Sequence, residues 1–188
     1  MAEPLLAFED AACRRGGRLL FEKLSFTLAP GEAAVVTGPN GIGKSSLLRL
    51  AAGLLTPDGG RVQRSCAAAF ADEGLALDQR LTLGSALGFW ARLDGGGAAA
   101  GMEAMGLMPL ERVPVRMLSA GQRKRAVLAR AIASRAPLWL LDEPSNGLDA
   151  EGQERLTTAT AAHRAQGGAI LAASHVQLSL AGAADIAL

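Results

Sequence analysis

One octapeptide, Gly38-Pro39-Asn40-Gly41-Ile42-Gly43-Lys44-Ser45, constrains this 188-residue chain more than any other part of it. It fits the pattern G-x-x-x-x-G-K-[ST]. It follows a short apolar run, Ala33 to Thr37, and opens a segment whose leucines (Leu47, Leu48, Leu50, Leu54) recur at helical spacing. Glycines at these positions let successive backbone N–H groups turn inward around phosphate oxygens, and the helix that follows aims its positive end at the same anion. Lys44 is placed to reach the β- and γ-phosphates, the Ser45 hydroxyl to ligate Mg²⁺, and Ser46 is the next hydroxyl of the same helix start. The alternative is a glycine-rich turn without a ligand, but a turn has no need of the buried strand before it and the helix after it.

The remaining segments agree with a layered α/β fold. Leu5 to Ala12 and Leu19 to Leu28 read as two strands about the turn Arg14-Arg15-Gly16-Gly17. A helix from Ser45 to Leu55 is stopped by Thr56-Pro57-Asp58-Gly59-Gly60. Residues 61–80 are weakly patterned. Residues 81–117 read as helical, with an apolar face at Leu83, Leu87 and Trp90, a break at Gly95-Gly96-Gly97 and a short helix near Ala98 to Met105. A long helix from Gly121 to about Arg135 is stopped by Pro137. Leu138 to Leu141, Ala169 to Ser174 and Ala184 to Leu188 read as strands, with a helix from Glu151 to about Gln166 between the first two. This order predicts a mixed or parallel sheet core, a shortened antiparallel part at the amino end and a small helical lobe at about 81–117, all in one domain spanning 1–188.

Three of the predicted buried strands end in polar groups. One runs into the Gly38 loop; Leu138-Trp139-Leu140-Leu141 ends in Asp142 and Glu143; Ile170 to Ser174 ends at His175. In a parallel sheet all three ends lie on one rim, where ligands of such sheets collect. Asp142 suits a Mg²⁺ shell, Glu143 suits a water-polarising carboxylate, and a neutral His175 suits contact with the γ-phosphate and the attacking water. His163, on a polar helix, reads as a surface residue. A fourth element, Leu118-Ser119-Ala120-Gly121-Gln122, precedes the long helix. Ser119 reads locally as an N-cap, and with the rest of the chain as a second anion-binding helix start formed by Ser119, Ala120, Gly121 and Gln122.

With these motifs in this order, and with Glu143-Pro144-Ser145-Asn146-Gly147-Leu148-Asp149 after the second strand, the chain resembles the ATP-binding cassette (ABC) ATPases over nearly its whole length. The resemblance implies ATP and Mg²⁺ as ligands, with Lys44, Glu143 and His175 at the reacting phosphate. It also implies a homodimer that sandwiches two ATP molecules, the Ser119–Gln122 signature of one copy closing over the phosphate loop of the other. Within that family it most resembles the ATPases of cytochrome c maturation (heme-export type) systems. The shared features are the short chain, Ala120 in place of a signature glycine, the Gln122-Arg123-Lys124-Arg125 run and the segment Ser134 to Pro144. Integral membrane subunits of the CcmB and CcmC kind, reached from the cytoplasmic face of a bacterial inner membrane, are the implied partners. An exporter ATPase for a drug or lipid is the alternative, and a cassette acting on DNA or ribosomes would need a coiled-coil insertion or a second cassette.

Two positions depart from the family pattern. Where such ATPases stack adenine on an aromatic residue, this chain has Arg15, whose planar guanidinium is either a stacking surface or a solvated turn residue. The glutamine that links metal and water to the helical lobe is missing; Ala71-Asp72-Glu73-Gly74 occupies its place, which makes Asp72 the substitute and Gln79 the weaker candidate. The shortness of Arg61 to Phe70 leaves the strand pairing there open.

Composition narrows the classes further. With 49% apolar residues, 20% charged, and 19 basic against 18 acidic groups, the chain is neither a disordered tail nor a dedicated nucleic-acid binder. Cys13 and Cys66 are too few for a disulfide framework and read as reduced core residues. The amino end (Met1, Ala2, Glu3, Pro4) shows no basic leader before an apolar run, and no run approaches the ~18 apolar residues that span a bilayer, so a cytoplasmic chain that meets a membrane through partners is expected. Met102, Met105 and Met108 read as packing residues rather than heme ligands, and Arg123 to Arg125 as a solvated helix face.

Overall fold

Alternating polarity near the amino end and unbroken apolar runs later in the chain produce two different sheets. The computed structural model describes residues 3–72, 74, 76–176 and 178–188; Glu73 of the segment discussed above, and Met1 and Ala2 of the amino end, lie outside the described residues. β1 (Leu6–Arg15) and β2 (Arg18–Leu28) form a hairpin across Gly16 and Gly17. Both glycines have positive φ, 56° and 81°, as a two-residue turn matched to strand twist requires. The weakly patterned region supplies one strand to each sheet. β4 (Gly59–Arg64) pairs antiparallel with β1, giving the order β2-β1-β4, and β5 (Ala68–Ala71) joins the other sheet. That resolves the open pairing: β4 carries an exposed polar row, and β5 is four residues long with three alanines, so neither shows a strong period.

The second sheet also contains β3 (Ala33–Thr37), β6 (Leu138–Asp142), β7 (Ala169–Ala173) and β8 (Ala184–Ala187). Its order is β5-β6-β7-β3-β8 and every pairing is parallel. All five residues of β6 and all five of β7 are buried, because both faces of the sheet are covered. Leu138, Leu140, Ala169 and Leu171 face a core shared with β1 and with α1 (Lys44–Ala51). Trp139, Leu141, Ile170 and Ala172 face the opposite core, against α4 (Ala120–Ala133) and the helical lobe. Helix α1 ends before the predicted Leu55. Gly53, at φ 74°, turns the chain, and the Leu54 and Gly53 N–H groups donate to the carbonyls of Arg49 and Leu50, a Schellman closure.

The lobe comprises α2 (Leu83–Leu93), α3 (Ala98–Ala104) and two 3₁₀ turns at Met108–Leu110 and Val115–Met117. Thr82 caps α2 by accepting from the Ser85 N–H. Met102 and Met105 pack in the core while Met108 is largely exposed. The Trp90 indole N–H donates to the Ala76 carbonyl (2.6 Å), and the Arg130 guanidinium lies 3.9 Å from the ring centroid. Among the described residues no helix is long and apolar enough to cross a membrane.

His163 is not the surface residue expected from its helix. On α5 (Ala150–Ala165), Gly152, Leu156 and Thr160 form a buried face, and His163 extends it to lie flat on Trp139, ring centroids 3.9 Å apart and planes 10° apart. Burial holds its imidazole below the ordinary value of 6.5, against a smaller pull the other way from the backbone at Ala169 and Pro137.

Two outcomes follow from this packing. A Cβ at Gly101 would overlap the Ala129 carbonyl on α4, so Gly101→Val should separate α3 from α4 and cost about 1–3 kcal/mol in urea unfolding. The unfolded chain takes up the His163 proton near 6.5 and the folded chain only at lower pH. The neutral form therefore supports folding fully above 6.5, and stability declines as pH falls through 6.5 toward the folded pKa. His163→Phe should flatten that part of the stability–pH curve.

Candidate functional site

The parallel pairing of β6, β7 and β3 carries the chain after each strand to one rim of the sheet. After β3 the loop from Gly38 to Gly43 holds Gly38, Gly41 and Gly43 at φ 137°, 78° and 129°. A Cβ would meet the Leu188 carbonyl oxygen at 3.0 Å from Gly38, and the Leu20 Cβ at 3.1 Å from Gly43. The loop is thus wedged between β8 and the hairpin, and only glycine fits at its two ends. Lys44 is buried; its ammonium donates to the carbonyls of Gly38 (2.7 Å) and Pro39 (3.3 Å) across the mouth of the loop. No side chain caps the start of α1 and no acidic residue lies in its first turn, so the amides and positive end of the helix remain available to an anion.

A cavity of about 610 Å³ opens over this loop, and Asn40, Gly41, Gly43, Lys44, Ser45 and Ser46 line it together with Arg15, Asp72, Asp142 and Glu143. Its size suits a nucleotide-sized ligand. Asp142, at the end of β6, is buried, and burial pushes its carboxyl above the ordinary 3.8. Glu143 and Asp72 add to that, while a hydrogen bond with the Ser45 side chain and the charge of Arg49 oppose it. A carboxylate held in so unfavourable a place beside a serine hydroxyl is a hard oxygen donor set that a divalent cation would relieve. Among the described residues no three His, Cys, Asp or Glu side chains group closely enough to hold a metal. Ser45 and Asp142 therefore fit an ion such as Mg²⁺ that takes one or two protein oxygens and completes its shell with phosphate and water.

Glu143 has φ 46°, a left-handed conformation that costs a non-glycine residue roughly 1–2 kcal/mol. Pro144 after it disfavours the right-handed helical alternative. Its N–H donates to the Ala173 carbonyl (2.9 Å), and its carboxylate meets His175 Nδ1 at 2.8 Å. The structure thus brings His175 directly to Glu143 instead of into the loop cavity. The imidazole lines a neighbouring cavity with Thr37, Gly38 and Asp185. With the Nδ1 proton donated to the carboxylate, Nε2 is left as an acceptor.

The Ser119 segment lies apart. The Ser119 hydroxyl accepts from the Gln122 N–H (3.2 Å) and the Gln122 carbonyl Oε1 accepts from the Ser119 N–H (2.9 Å), a capping box in which both local partners are satisfied. The side chain of Gln122 is therefore engaged in the cap. Ser119 and Ala120 are exposed. Ala120 borders a second cavity of about 420 Å³ with Gln79, Arg123, Lys124, Asn146 and Gly147, and it shares no lining residue with the loop cavity. Gln79 belongs to that second cavity and Asp72 to the first, which separates the two candidates for the missing glutamine.

Four positions escaped the sequence reading. Arg49 lines the loop cavity, four residues after Ser45 and so on the same helix face; that spacing was the available signal. Lys124 and Arg125 are not a solvated face: Lys124 Nζ donates to the Asp142 carbonyl (3.3 Å) and Arg125 approaches the Met105 carbonyl at 3.5 Å. Gly74 also lines the loop cavity.

A family model described as ABC transporter matches residues 21–146. The cytochrome c biogenesis ATP-binding export protein CcmA of Sphingopyxis alaskensis is 55% identical over 179 residues, 94% of this chain and 92% of the relative. Its namesake from Zymomonas mobilis is 54% identical, covering 94% and 80%, and that from Novosphingobium aromaticivorans 54%, covering 96% and 93%. Among solved structures, an ATP-binding subunit of an ABC transporter superposes with a TM-score of 0.83 at 24% identity, over 92% of this chain and 80% of that one. A component of the cbiONQ ABC transporter complex of Clostridium perfringens gives 0.75 at 22%, over 92% and 79%. At these identities the structures establish the fold.

Because burial disfavours the ionised Asp142 carboxyl, the charge weakens the ligand-free fold wherever pH exceeds the raised folded pKa. Asp142→Asn should raise the urea midpoint of the ligand-free chain at pH 7, with the gain fading as acid protonates the wild-type group. A lower midpoint at pH 7 would contradict this account of the site.

Proposed function

This chain belongs to the ABC transporter ATPases, in the branch of the cytochrome c biogenesis ATP-binding export proteins, and from that membership we propose that it hydrolyses ATP to drive heme export or delivery for c-type cytochrome assembly. The observation that carries the catalytic part is the convergence, on one sheet rim, of a phosphate loop, a buried aspartate and a glutamate held by a histidine. The whole chain acts as one cassette, with the helical lobe as an insertion.

The amides of residues 38–44 and the start of α1 hold the phosphate chain, and Lys44 leaves the Gly38 and Pro39 carbonyls for the stronger anionic acceptors of the β- and γ-phosphates. Ser45 and Asp142, with Asp72 beside them, hold Mg²⁺, which when bound offsets the charge of the phosphates. Glu143 orients a water and accepts its proton as the water oxygen attacks the γ-phosphorus, and the bridging P–O bond breaks with its electrons leaving on ADP. His175 keeps the Glu143 carboxylate in place through Nδ1. Arg15, at the cavity edge, presents its guanidinium plane to the base.

The separation of the signature cavity from the loop cavity supports a homodimer in which Ser119, Ala120 and Gly121 of one copy complete the nucleotide site of the other. Membrane partners of the CcmB and CcmC kind engage the lobe and the region around Asp72, which places the chain peripherally on the cytoplasmic face of a bacterial inner membrane.

Lys44→Ala and Glu143→Gln should each lower ATP turnover of the assembled complex by about 10²-fold or more. Glu143→Gln with ATP should double the mass of the isolated chain in light scattering. Recovery from membranes with heme-handling subunits, and loss of holo-cytochrome c in the Lys44→Ala strain, are expected; recovery with a multidrug-type permease would overturn the heme assignment.

A further inference from the structure

The peptide unit joining Asp142 to Glu143 is gripped from two sides. Its N–H donates to the Ala173 carbonyl at the end of β7 (2.9 Å), and its carbonyl oxygen accepts from the Lys124 ammonium on α4 (3.3 Å). Turning this peptide plane changes φ of Glu143, and Glu143 stands at 46°, a value that a glutamate holds only under constraint from its surroundings. The orientation of the plane therefore decides whether the carboxylate reaches His175 Nδ1, now 2.8 Å away. The β7 side of the grip is part of a rigid, buried sheet. The α4 side is a long flexible side chain from a helix whose first turn exposes Ala120 and Arg123 beside Asn146 and Gly147.

We propose that Lys124 is a positioning residue for hydrolysis: it ties α4 to the Asp142–Glu143 peptide, so that the attitude of the signature helix sets the attitude of this chain's own hydrolytic carboxylate. An ammonium suits the role because its three donors follow a carbonyl through small shifts of the helix. The side chain thereby links the surface offered to a second copy with the chemistry of the cis nucleotide site, without touching the reacting atoms. This inference rests on the ATPase reading above.

The test uses the full chain carrying Lys124→Met or Lys124→Arg, with Lys124→Gln in place of the methionine variant if the latter lowers the urea midpoint. Lys124→Met should lower kcat for ATP about tenfold and leave KM within about twofold. In the Glu143→Gln background it should leave ATP-driven dimerisation unchanged. The chain has two histidines, so ¹⁵N spectra of the imidazoles separate the effects: the His175 signals should move and the His163 signals should stay. Lys124→Arg should restore kcat to within about threefold of wild type. A parallel loss of kcat, KM and dimerisation would make Lys124 an anion contact of the signature and overturn the proposal, as would an unchanged kcat or unmoved His175 signals. Wild-type turnover that is insensitive to Glu143→Gln would sink the ATPase reading itself, whereas Glu143-dependent turnover with a silent Lys124→Met sinks this inference alone.

Discussion

Parallel strands cannot be joined by a tight turn, so each must send its chain back across a face of the sheet before the next begins. In this chain that rule makes β3, β6 and β7 start at one rim and end at the other, and nearly every group with chemical capability follows a strand end. The phosphate loop, the Asp142-Glu143 pair and His175 come from three separate segments, with Lys44 and Asp142 98 residues apart and Glu143 and His175 32 apart, yet the ladder β6-β7-β3 makes them neighbours. Nine of the ten buried positions of β6 and β7, all but Asp142, hold that ladder in register through two cores, one on each face. A one-residue slip would exchange the cores and move Asp142 off the rim.

The rim concentrates charge that the sheet disfavours. Asp72, Asp142 and Glu143 meet Lys44, Arg49 and Arg15 around one cavity, and burial disfavours the ionised form of Asp142. Lys44 reaches carbonyls rather than carboxylates, and Glu143 reaches an imidazole. Opposite charges gathered at one opening but not directly joined leave room for a ligand that brings both phosphate and cation. The strained backbone of Glu143 belongs to the same arrangement, since a carboxylate settled in ordinary geometry would follow the strand direction and miss His175.

Residues whose role depends on their own segment were legible in the sequence. The phosphate loop, the acid-terminated strand and the histidine after a strand are local patterns, and the parallel sheet needed only their order. Segments whose identity depends on distant partners were not. β4 shows no period because none of its residues is fully buried, and β5 is too short and too rich in alanine to be distinguished from a linker. His163 sits on a helix with a narrow buried stripe (Gly152, Leu156 and Thr160), and Trp139, from another element, draws it inward. Lys124 looked solvated because a basic run carries no mark of which member turns toward a strand end. Arg49 was hidden among leucines, although its place four residues after Ser45 put it on the cavity side.

The surface left over is as informative as the site. Leu81, Phe89, Leu93, Met108 and Met117 are more than a third exposed, and all belong to the lobe or its edges. Single exposed apolar residues need no explanation, but five on one small insertion do. The lobe is held to the α/β body chiefly through α4, where Gly101 lets α3 approach the helix backbone. The same α4 carries the exposed signature at its start and the lysine that grips the Glu143 peptide. In the assembly proposed above, a load on the lobe's apolar face, a second copy at the signature and the state of the carboxylate would therefore all act on one helix. A cassette that couples a membrane partner to hydrolysis needs such a shared element, because two sites on independent elements would have no means of exchanging free energy.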